Sequence, residues 1–166
     1  MSIVFGKTYR DIVTGFEGIC TGAVEWMYGC KDFALQPRSE TNNKRERAAL
    51  FNEKQMELVD DGIVDKIEQP IIDEPVLFGK ECVDKVTGVR GMCIGRGIWL
   101  FSSTQYVLEV QPEDKEKESR FMWLDAGRVE QVKDPTHEID PKDVAGPRPG
   151  GVHNPSWRPP MNPLEF

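Results

Sequence analysis

The sequence is poor in the residue types that build metal and catalytic sites. Its 166 residues include two histidines and four cysteines: His137, His153, Cys20, Cys30, Cys82 and Cys93. No two cysteines form a C-x-x-C pair, although zinc sites usually draw their ligands from close pairs. A Ser-His-Asp or Cys-His arrangement would have to use histidines that both lie near the C-terminus. We therefore expect no metal, no cofactor and no catalytic residue, and a protein that is not an enzyme.

The chain also lacks long apolar runs and an excess of positive charge. No stretch approaches the roughly 18 apolar residues of a membrane-spanning helix, and the first residues, MSIVFGKTYRD, do not resemble a signal peptide. Lys and Arg total 21 against 28 Asp and Glu, a net charge of −7. Duplex DNA and anionic membranes both favour positively charged proteins. We expect a soluble protein made in the cytosol, with no membrane partner and with nucleic acid disfavoured.

An internal repeat organises what is present. Phe5-Gly6-Lys7 recurs as Phe78-Gly79-Lys80, and the spacing from Gly6 to Gly79 defines the repeat offset. The same offset places DIVTGFEGICTG (11–22) over DKVTGVRGMCIG (84–95), with seven identities. The register then continues without a gap, from Trp26 over Trp99 to Val59 over Val132. We infer two copies of one small domain, at about 4–60 and 77–133.

Glycines and alternating apolar residues predict short strands in both copies. The glycines define tight bends between strands: Gly15, Gly18, Gly22, Gly88, Gly91 and Gly95. Period-two alternation is typical of half-buried strands. It predicts a core that contains Cys20, Trp26, Phe33, Leu35, Cys93, Trp99, Tyr106 and Leu108. Buried cysteines need no further role than as small apolar side chains.

The segment 45–58 has two interpretations. RERAALFNEKQMEL is rich in helix formers, but its counterpart SRFMWLDAGRVEQV is not, so we favour strand, single helical turn, strand in both copies and keep a helix as the alternative. Five short strands bent at glycines predict a small SH3-like or Sm-like barrel. The predicted fold is mostly β, with two tandem SH3-like barrels at 1–60 and 77–133, a linker at 61–76 and an extended arm at 134–166.

The arm is defined by proline. Eight of the twelve prolines lie in residues 135–163, where they remove backbone donors and prevent regular structure. Four apolar residues are spaced along its end like anchors on an extended peptide: Trp157, Met161, Leu164 and Phe166. We expect them to bind a neighbouring chain. The alternative is that the arm folds back over its own barrels.

Other candidate sites have simpler explanations. The motif G-x-x-G-x-C-x-G lies between strands and lacks the G-K-[ST] ending of a phosphate loop. Asp11 and Asp84 recur before a turn, where an Asp commonly accepts backbone N–H bonds. The charged runs 38–47 and 113–120 lie at equivalent hairpin tips, but only the first is basic, which favours solvated loops over a nucleic-acid surface.

The motif D-x-V-T-G-F-x-G-x-x-T-G, followed by an aromatic strand and W-[LF]-D-x-G-R-[LV]-E-x-V, resembles a small family of uncharacterised tailed-bacteriophage proteins. The resemblance covers Asp11 to Gly22, Asp84 to Gly95 and Trp123 to Val132, but neither the linker nor the arm. Copy one departs from the second half of the motif, since Leu50-Phe51-Asn52 replaces Trp-Leu-Asp. The resemblance implies a phage origin and no assigned activity.

These observations lead to one expectation about function and an alternative. We expect a non-enzymatic virion component, such as a capsid, neck or tail accessory protein. Its partners would be other phage structural proteins or copies of itself, and it would be found in the virion and, during assembly, in the bacterial host cytoplasm. The alternative is a phage-encoded inhibitor that binds a host protein or a small nucleotide in a barrel groove, lined by the loop 38–47 with Tyr28 or Phe101. Single-strand or RNA binding is a third candidate.

Overall fold

The computed structural model describes residues 3–38, 47–112 and 119–144, and 46% of it is strand and 9% helix. The mostly β prediction is therefore confirmed. The first five strands are β1 (Thr8–Asp11), β2 (Glu17–Trp26), β3 (Lys31–Gln36), β4 (Ala49–Asn52) and β5 (Met56–Asp60). The next five are β6 (Glu81–Asp84), β7 (Arg90–Trp99), β8 (Gln105–Val110), β9 (Arg120–Asp125) and β10 (Val129–Gln131). Short 3₁₀ turns occur at Glu53–Gln55, Val64–Lys66 and Ala126–Arg128, and α1 (Pro141–Val144) is one helical turn.

The residues group by their contacts into two units. Unit 1 comprises Met1–Glu25, Cys30–Asp73 and Gly97–Thr104, and unit 2 comprises Trp26–Gly29, Glu74–Arg96 and Gln105–Phe166. These limits differ from the predicted domains 1–60 and 77–133, because each unit takes in a hairpin segment from the other repeat. The backbone hydrogen bond from Leu100 N to Thr21 O holds one such segment in unit 1.

Unit 1 is built on strands in the order β5-β1-β2-β3-β4, each antiparallel to its neighbours. Its core joins residues from four of these strands and from the segment 97–104. The core residues are Phe5, Tyr9, Cys20, Ala23, Phe33, Leu35, Met56 and Ile98. Burial of this one face accounts for the apolar alternation along β2 and β3.

Unit 2 has the same strand order, β10-β6-β7-β8-β9. Its pairing register is that of unit 1 displaced by the repeat offset, since Thr8 pairs with Ile19 and Glu81 with Met92. The third and fourth strands of each unit also keep this displacement. Its core consists of Leu77, Cys82, Cys93, Tyr106, Leu108, Leu124 and Val129. The offset found in the sequence is therefore also an offset in strand pairing.

The described strands do not close into barrels. In unit 1, β4 pairs only with β3 and β5 only with β1, so the two edges of the sheet remain apart. Both edge strands are short, and the 3₁₀ turn Glu53–Gln55 connects them without a hydrogen-bonded ladder. The expected closed barrel is replaced, in the part of the chain described, by an open antiparallel sheet.

The segment 49–60 forms strand, 3₁₀ turn and strand, as the comparison of the two copies predicts. Asn52 ends β4 and its side chain accepts a hydrogen bond from Lys54 N at 3.2 Å, which caps the turn. The helical alternative is wrong over the described residues 47–58. Its helix-forming residues instead supply an edge strand whose partner, β3, is fixed by the core.

Two of the six predicted turn glycines adopt a turn conformation. Gly15 and Gly88 have φ of 75° and 73°, and each donates its N–H to the carbonyl of the aspartate four residues earlier. A residue with a Cβ is strained at such an angle. These two positions explain the repeated Val-Thr-Gly.

The other four glycines lie in strands and have no positive φ, so their assignment to turns is wrong. They are Gly18, Gly22, Gly91 and Gly95. A Cβ on Gly22 would lie 2.3 Å from the Trp99 indole, and one on Gly18 would lie 2.7 Å from the Gln36 carbonyl oxygen. These glycines are required by close packing rather than by a bend.

The predicted core residues are mostly buried. Cys20, Trp26, Phe33, Leu35, Cys93, Tyr106 and Leu108 are all buried. Trp99 is half-buried. In unit 2 the Trp26 indole meets the Trp123 indole edge to face, with ring centroids 6.3 Å apart.

Candidate functional site

A cavity of about 280 Å³ opens in unit 1. Its walls come from the segment before β1, from β2 and β3, from the 3₁₀ turn after β4, from the connector after β5 and from the segment 97–104. They are formed by Ile3, Phe5, Ala23, Glu25, Lys31, Phe33, Glu53, Gln69, Pro70, Ile72 and Ile98. Most of these side chains are apolar, so the cavity can accept an apolar group.

Backbone and side-chain bonds fix the connector that forms one wall of this cavity. Gln69 Nε2 donates to the Phe5 carbonyl oxygen at 2.9 Å, and Ile63 N donates to Gly6 O at 2.7 Å. Gly62 lies so close to Gly6 O that a Cβ there would be 2.1 Å from it. The start of the predicted linker is thus part of unit 1.

The cavity corresponds to a substitution between the repeats. Ala23 lies on its wall, and the residue that matches it at the repeat offset is Arg96. Arg96 is buried in unit 2, where its Nη1 donates to the Glu74 carbonyl oxygen at 3.1 Å. Phe33 is likewise replaced by Tyr106, whose hydroxyl donates to Pro75 O at 2.6 Å. In unit 1 these polar atoms are absent from both positions, which leaves apolar walls.

One charged side chain at the cavity lacks an ion-pair partner among the described residues, whereas the other two form a pair. Lys31 Nζ lies 2.7 Å from Glu25 Oε1 and so has an ion-pair partner. Glu53 is exposed and has no ion-pair partner among the described residues. The mouth therefore carries one uncompensated carboxylate, which favours a cation and disfavours a phosphate.

The two repeated aspartates hold their turns. The Thr14 hydroxyl donates to Asp11 Oδ2 at 2.5 Å, and the Thr87 hydroxyl donates to Asp84 Oδ2 at 2.6 Å. Asp84 also accepts a bidentate pair from Arg128, with Nη2 2.6 Å from Oδ2. These contacts explain the recurrence of the carboxylates by turn geometry rather than by catalysis.

The aspartates have lowered pKa values for different reasons. The Arg128 guanidinium, followed by the Thr87 hydroxyl, holds the pKa of the Asp84 carboxyl well below its usual range. Burial alone would raise the pKa of Asp11, but the hydrogen bonds from Thr14 outweigh it and lower the value. Asp11 Oδ1 is buried and has no hydrogen-bond partner among the described residues.

All four cysteines are free thiols, and only Cys30 is exposed. Burial raises the pKa of Cys20 to about 12. In unit 2 the Cys82 thiol donates to Lys80 O at 3.6 Å and the Cys93 thiol to Gly95 O at 3.7 Å, and the neighbouring Cys82 together with burial raises the pKa of Cys93. A thiol of this kind is a poor nucleophile and metal ligand at neutral pH. Within the described ranges, no three His, Cys, Asp or Glu side chains are grouped in a way that could hold a metal ion.

The described start of the predicted arm is bound to unit 2. Thr136 N and its hydroxyl donate to Glu81 Oε2 at 2.6 and 3.0 Å, and Ile139 N donates to Gly79 O at 2.9 Å. Lys80 Nζ lies 3.1 Å from Glu138. Residues 136–141 therefore contact their own unit, and both interpretations of the arm stay predictions for the residues after Val144. Trp157, Met161, Leu164 and Phe166 lie outside the described residues.

The proposed groove for the alternative function is described in part. Phe101 is 76% exposed in unit 1, and Tyr28 is 36% exposed in unit 2. Arg38 donates to the Thr8 hydroxyl and lies 3.1 Å from Asp60. Residues 39–46 of the basic loop and 113–118 of its counterpart lie outside the described residues. Among the described residues, no helix is long and apolar enough to cross a membrane.

Neither a known protein family, nor a curated protein, nor a solved structure matches this chain. The cavity of unit 1 was not predicted from the sequence. Its signal is the change from Arg96 to Ala23 at matched positions, which becomes visible once the two copies are aligned by their offset.

Proposed function

We propose that this chain is a non-enzymatic structural protein of a tailed-phage particle. In this proposal each unit is an SH3-like module, and the proline-rich C-terminal segment joins the protein to neighbouring subunits. The observation that carries it is the pairing register, which recurs at the repeat offset for β1 with β2, β1 with β5 and β3 with β4. Two similar β modules on one chain suit a connector or decoration protein, whose role is to present surfaces in fixed places.

The composition of the C-terminal segment supports the joining role. Residues 136–141 are held by Glu81 and Gly79, so in this proposal the segment that joins another subunit is 145–166. This segment has six prolines and the four apolar anchors. Extended proline-rich segments bind with little loss of conformational entropy, because their backbone is already restricted.

The phage assignment is supported by the motif resemblance. Asp11, Thr14 and Gly15, with their counterparts Asp84, Thr87 and Gly88, are the motif residues whose contacts build the repeated turn. The particle then gives the location, with host cytoplasm as the site of synthesis and assembly. The partners in this proposal are other particle subunits or copies of this chain.

A second candidate is a phage-encoded inhibitor that binds a host protein. The cavity of unit 1 favours it, because apolar walls of this size accept side chains of a bound partner. The unpaired carboxylate of Glu53 counts against a nucleotide as ligand.

Mass spectrometry of purified particles separates these candidates. A structural protein is expected in every particle at a fixed ratio to the major head or tail protein. Presence in infected cells together with absence from washed particles would contradict the structural role and favour the inhibitor.

A further inference from the structure

We infer that the cavity of unit 1 is the receptor for the C-terminal segment of a second copy of this chain, with Trp157 inserted and Arg158 at the mouth. The inference rests on the proposed function, because it names the surface to which the segment binds. It makes the protein a head-to-tail interacting subunit, since each copy has one receptor and one ligand.

The size of the cavity selects the kind of occupant. Its volume of about 280 Å³ lies just under the range of about 300–1,000 Å³ that is typical of small-molecule sites. A space of this size with Phe5 and Phe33 in its walls fits a large aromatic side chain. Buried tryptophans are among the side chains that contribute most to protein interfaces. Residues 155–160 read Pro-Ser-Trp-Arg-Pro-Pro, so prolines flank Trp157 in the sequence, and proline residues in general favour an extended backbone.

Charge selects the same segment. Residues 145–166 contain Arg148, Arg158 and Glu165 as their charged residues, a net charge of +1 in a chain of −7. The remainder of the chain therefore carries −8. Arg158 directly follows the tryptophan, and Glu53 at the cavity is exposed with no ion-pair partner among the described residues. An apolar group with a neighbouring cation matches an apolar cavity with a neighbouring carboxylate.

The repeat supplies a way to fill the receptor. Ala23 corresponds to Arg96 of unit 2, so Ala23→Arg places in unit 1 the residue that the related unit already accommodates in its interior. Ala23→Leu fills the same space without a charge and serves as a second variant, in case the buried arginine prevents folding.

Sedimentation velocity of the full-length chain at several concentrations tests the inference. Wild type is expected to self-associate, and Ala23→Arg, Ala23→Leu and Trp157→Ala are each expected to weaken association about tenfold or more, since anchor residues carry most of the binding energy. Trp157→Ala keeps the receptor cavity, and a filled-cavity variant keeps the C-terminal ligand. We expect a mixture of these two variants to form a one-to-one complex.

A charge-reversal pair provides the matched control. Glu53→Lys is expected to weaken association, and more strongly at low salt, because it places a cation beside Arg158. Glu130→Lys makes the same change on an exposed residue of unit 2 and is expected to leave association unchanged. Circular dichroism and thermal unfolding of every variant establish that each has folded.

Three results would overturn the inference. The first is self-association that folded cavity variants leave unchanged. The second is a wild-type chain that stays monomeric at every concentration, because the C-terminal segment then binds its own chain or the cavity binds another partner. The third is a mixture that does not complement. Incorporation into particles is measured separately. If the wild-type chain is found in particles but its cavity variants still self-associate normally, the cavity is not the receptor and the structural role stands. If the wild-type chain is absent from particles, the structural role is refuted.

Discussion

Asp11 and Asp84 occupy equivalent positions, yet only one of them has an arginine partner. Arg128 donates a hydrogen bond to each carboxylate oxygen of Asp84. The residue that corresponds to Arg128 in the first repeat is Gln55. Gln55 contributes only its backbone carbonyl, which accepts a hydrogen bond from Ile12 N at 2.8 Å. Asp11 Oδ1 consequently remains buried without a partner among the described residues. A buried acceptor without a hydrogen bond destabilises the folded state.

Gln55→Arg is therefore expected to stabilise the protein, and Arg128→Gln to destabilise it. The first change supplies the missing donor to Asp11, and the second removes a bidentate pair from a buried carboxylate. We expect the midpoint of thermal unfolding to rise by a few degrees for Gln55→Arg and to fall by several degrees for Arg128→Gln, as measured by calorimetry.

The pH dependence gives a sharper test of the same contact. In the folded protein the pKa of Asp84 lies below its usual value of 3.8. The stability it contributes is present above that value and is lost as the pH falls toward the folded pKa. The difference in the free energy of unfolding between wild type and Arg128→Gln is thus expected to be constant from pH 7 to 5 and to become smaller below about pH 4. A difference that does not depend on pH would contradict a role for the carboxylate.

At the scale of the strand, close approach to an indole constrains β2 and β7. Gly22 faces the Trp99 ring in unit 1, and Gly95 faces the Trp26 ring in unit 2. Each glycine thus accommodates the tryptophan that the other repeat contributes to its unit. The two pairs make the glycines essential although neither lies in a turn.

Gly22→Ala is expected to lower the free energy of unfolding by about 1–3 kcal/mol, the usual cost of overpacking. Gly127→Ala is the matched control, because a Cβ there meets nothing within 4 Å and the residue lies in a 3₁₀ turn. We expect the control to change the free energy by less than about 0.5 kcal/mol. Chemical denaturation of both variants measures the difference, and equal effects would show that the indole contact is unimportant.

Strand assignment from the sequence succeeds where the repeat adds information. The segment 45–58 resembles a helix when it is considered alone, and only its counterpart, with Asp125-Ala126-Gly127, predicts the strand and turn that form over its described part. The same comparison fails for Gly18 and Gly22, because a glycine required by a neighbouring side chain looks like a glycine required by a turn. Which hairpin segment joins which unit depends on tertiary contacts such as Leu100 N to Thr21 O, and no local pattern encodes them.

For the whole molecule, each unit depends on residues from both repeats. Ile98 is 4% exposed in the core of unit 1, together with Phe5 and Phe33. A chain that ends at residue 76 has no Ile98 and no Leu100. Loss of a core residue in so small a unit removes a large part of its stability.

The fragment 1–76 is accordingly expected not to fold by itself, despite containing a complete copy of the repeat. Circular dichroism and the dispersion of proton NMR signals would show an unfolded chain, whereas the full chain shows cooperative unfolding. A fragment that unfolds cooperatively near the midpoint of the full chain would contradict the contact-defined units and favour the repeat boundaries.

The C-terminal segment is the part of the molecule on which the account of function depends most. A chain ending at Val144 keeps the contacts of Thr136 and Ile139 with unit 2, so its unfolding is expected to match that of the full chain. The decisive measurement is the amount of this shortened chain in particles assembled without the wild-type protein, quantified by mass spectrometry. We predict that it is synthesised and folded but missing from the particles, and a normal amount of it there would contradict the proposal that this segment joins the protein to its neighbours.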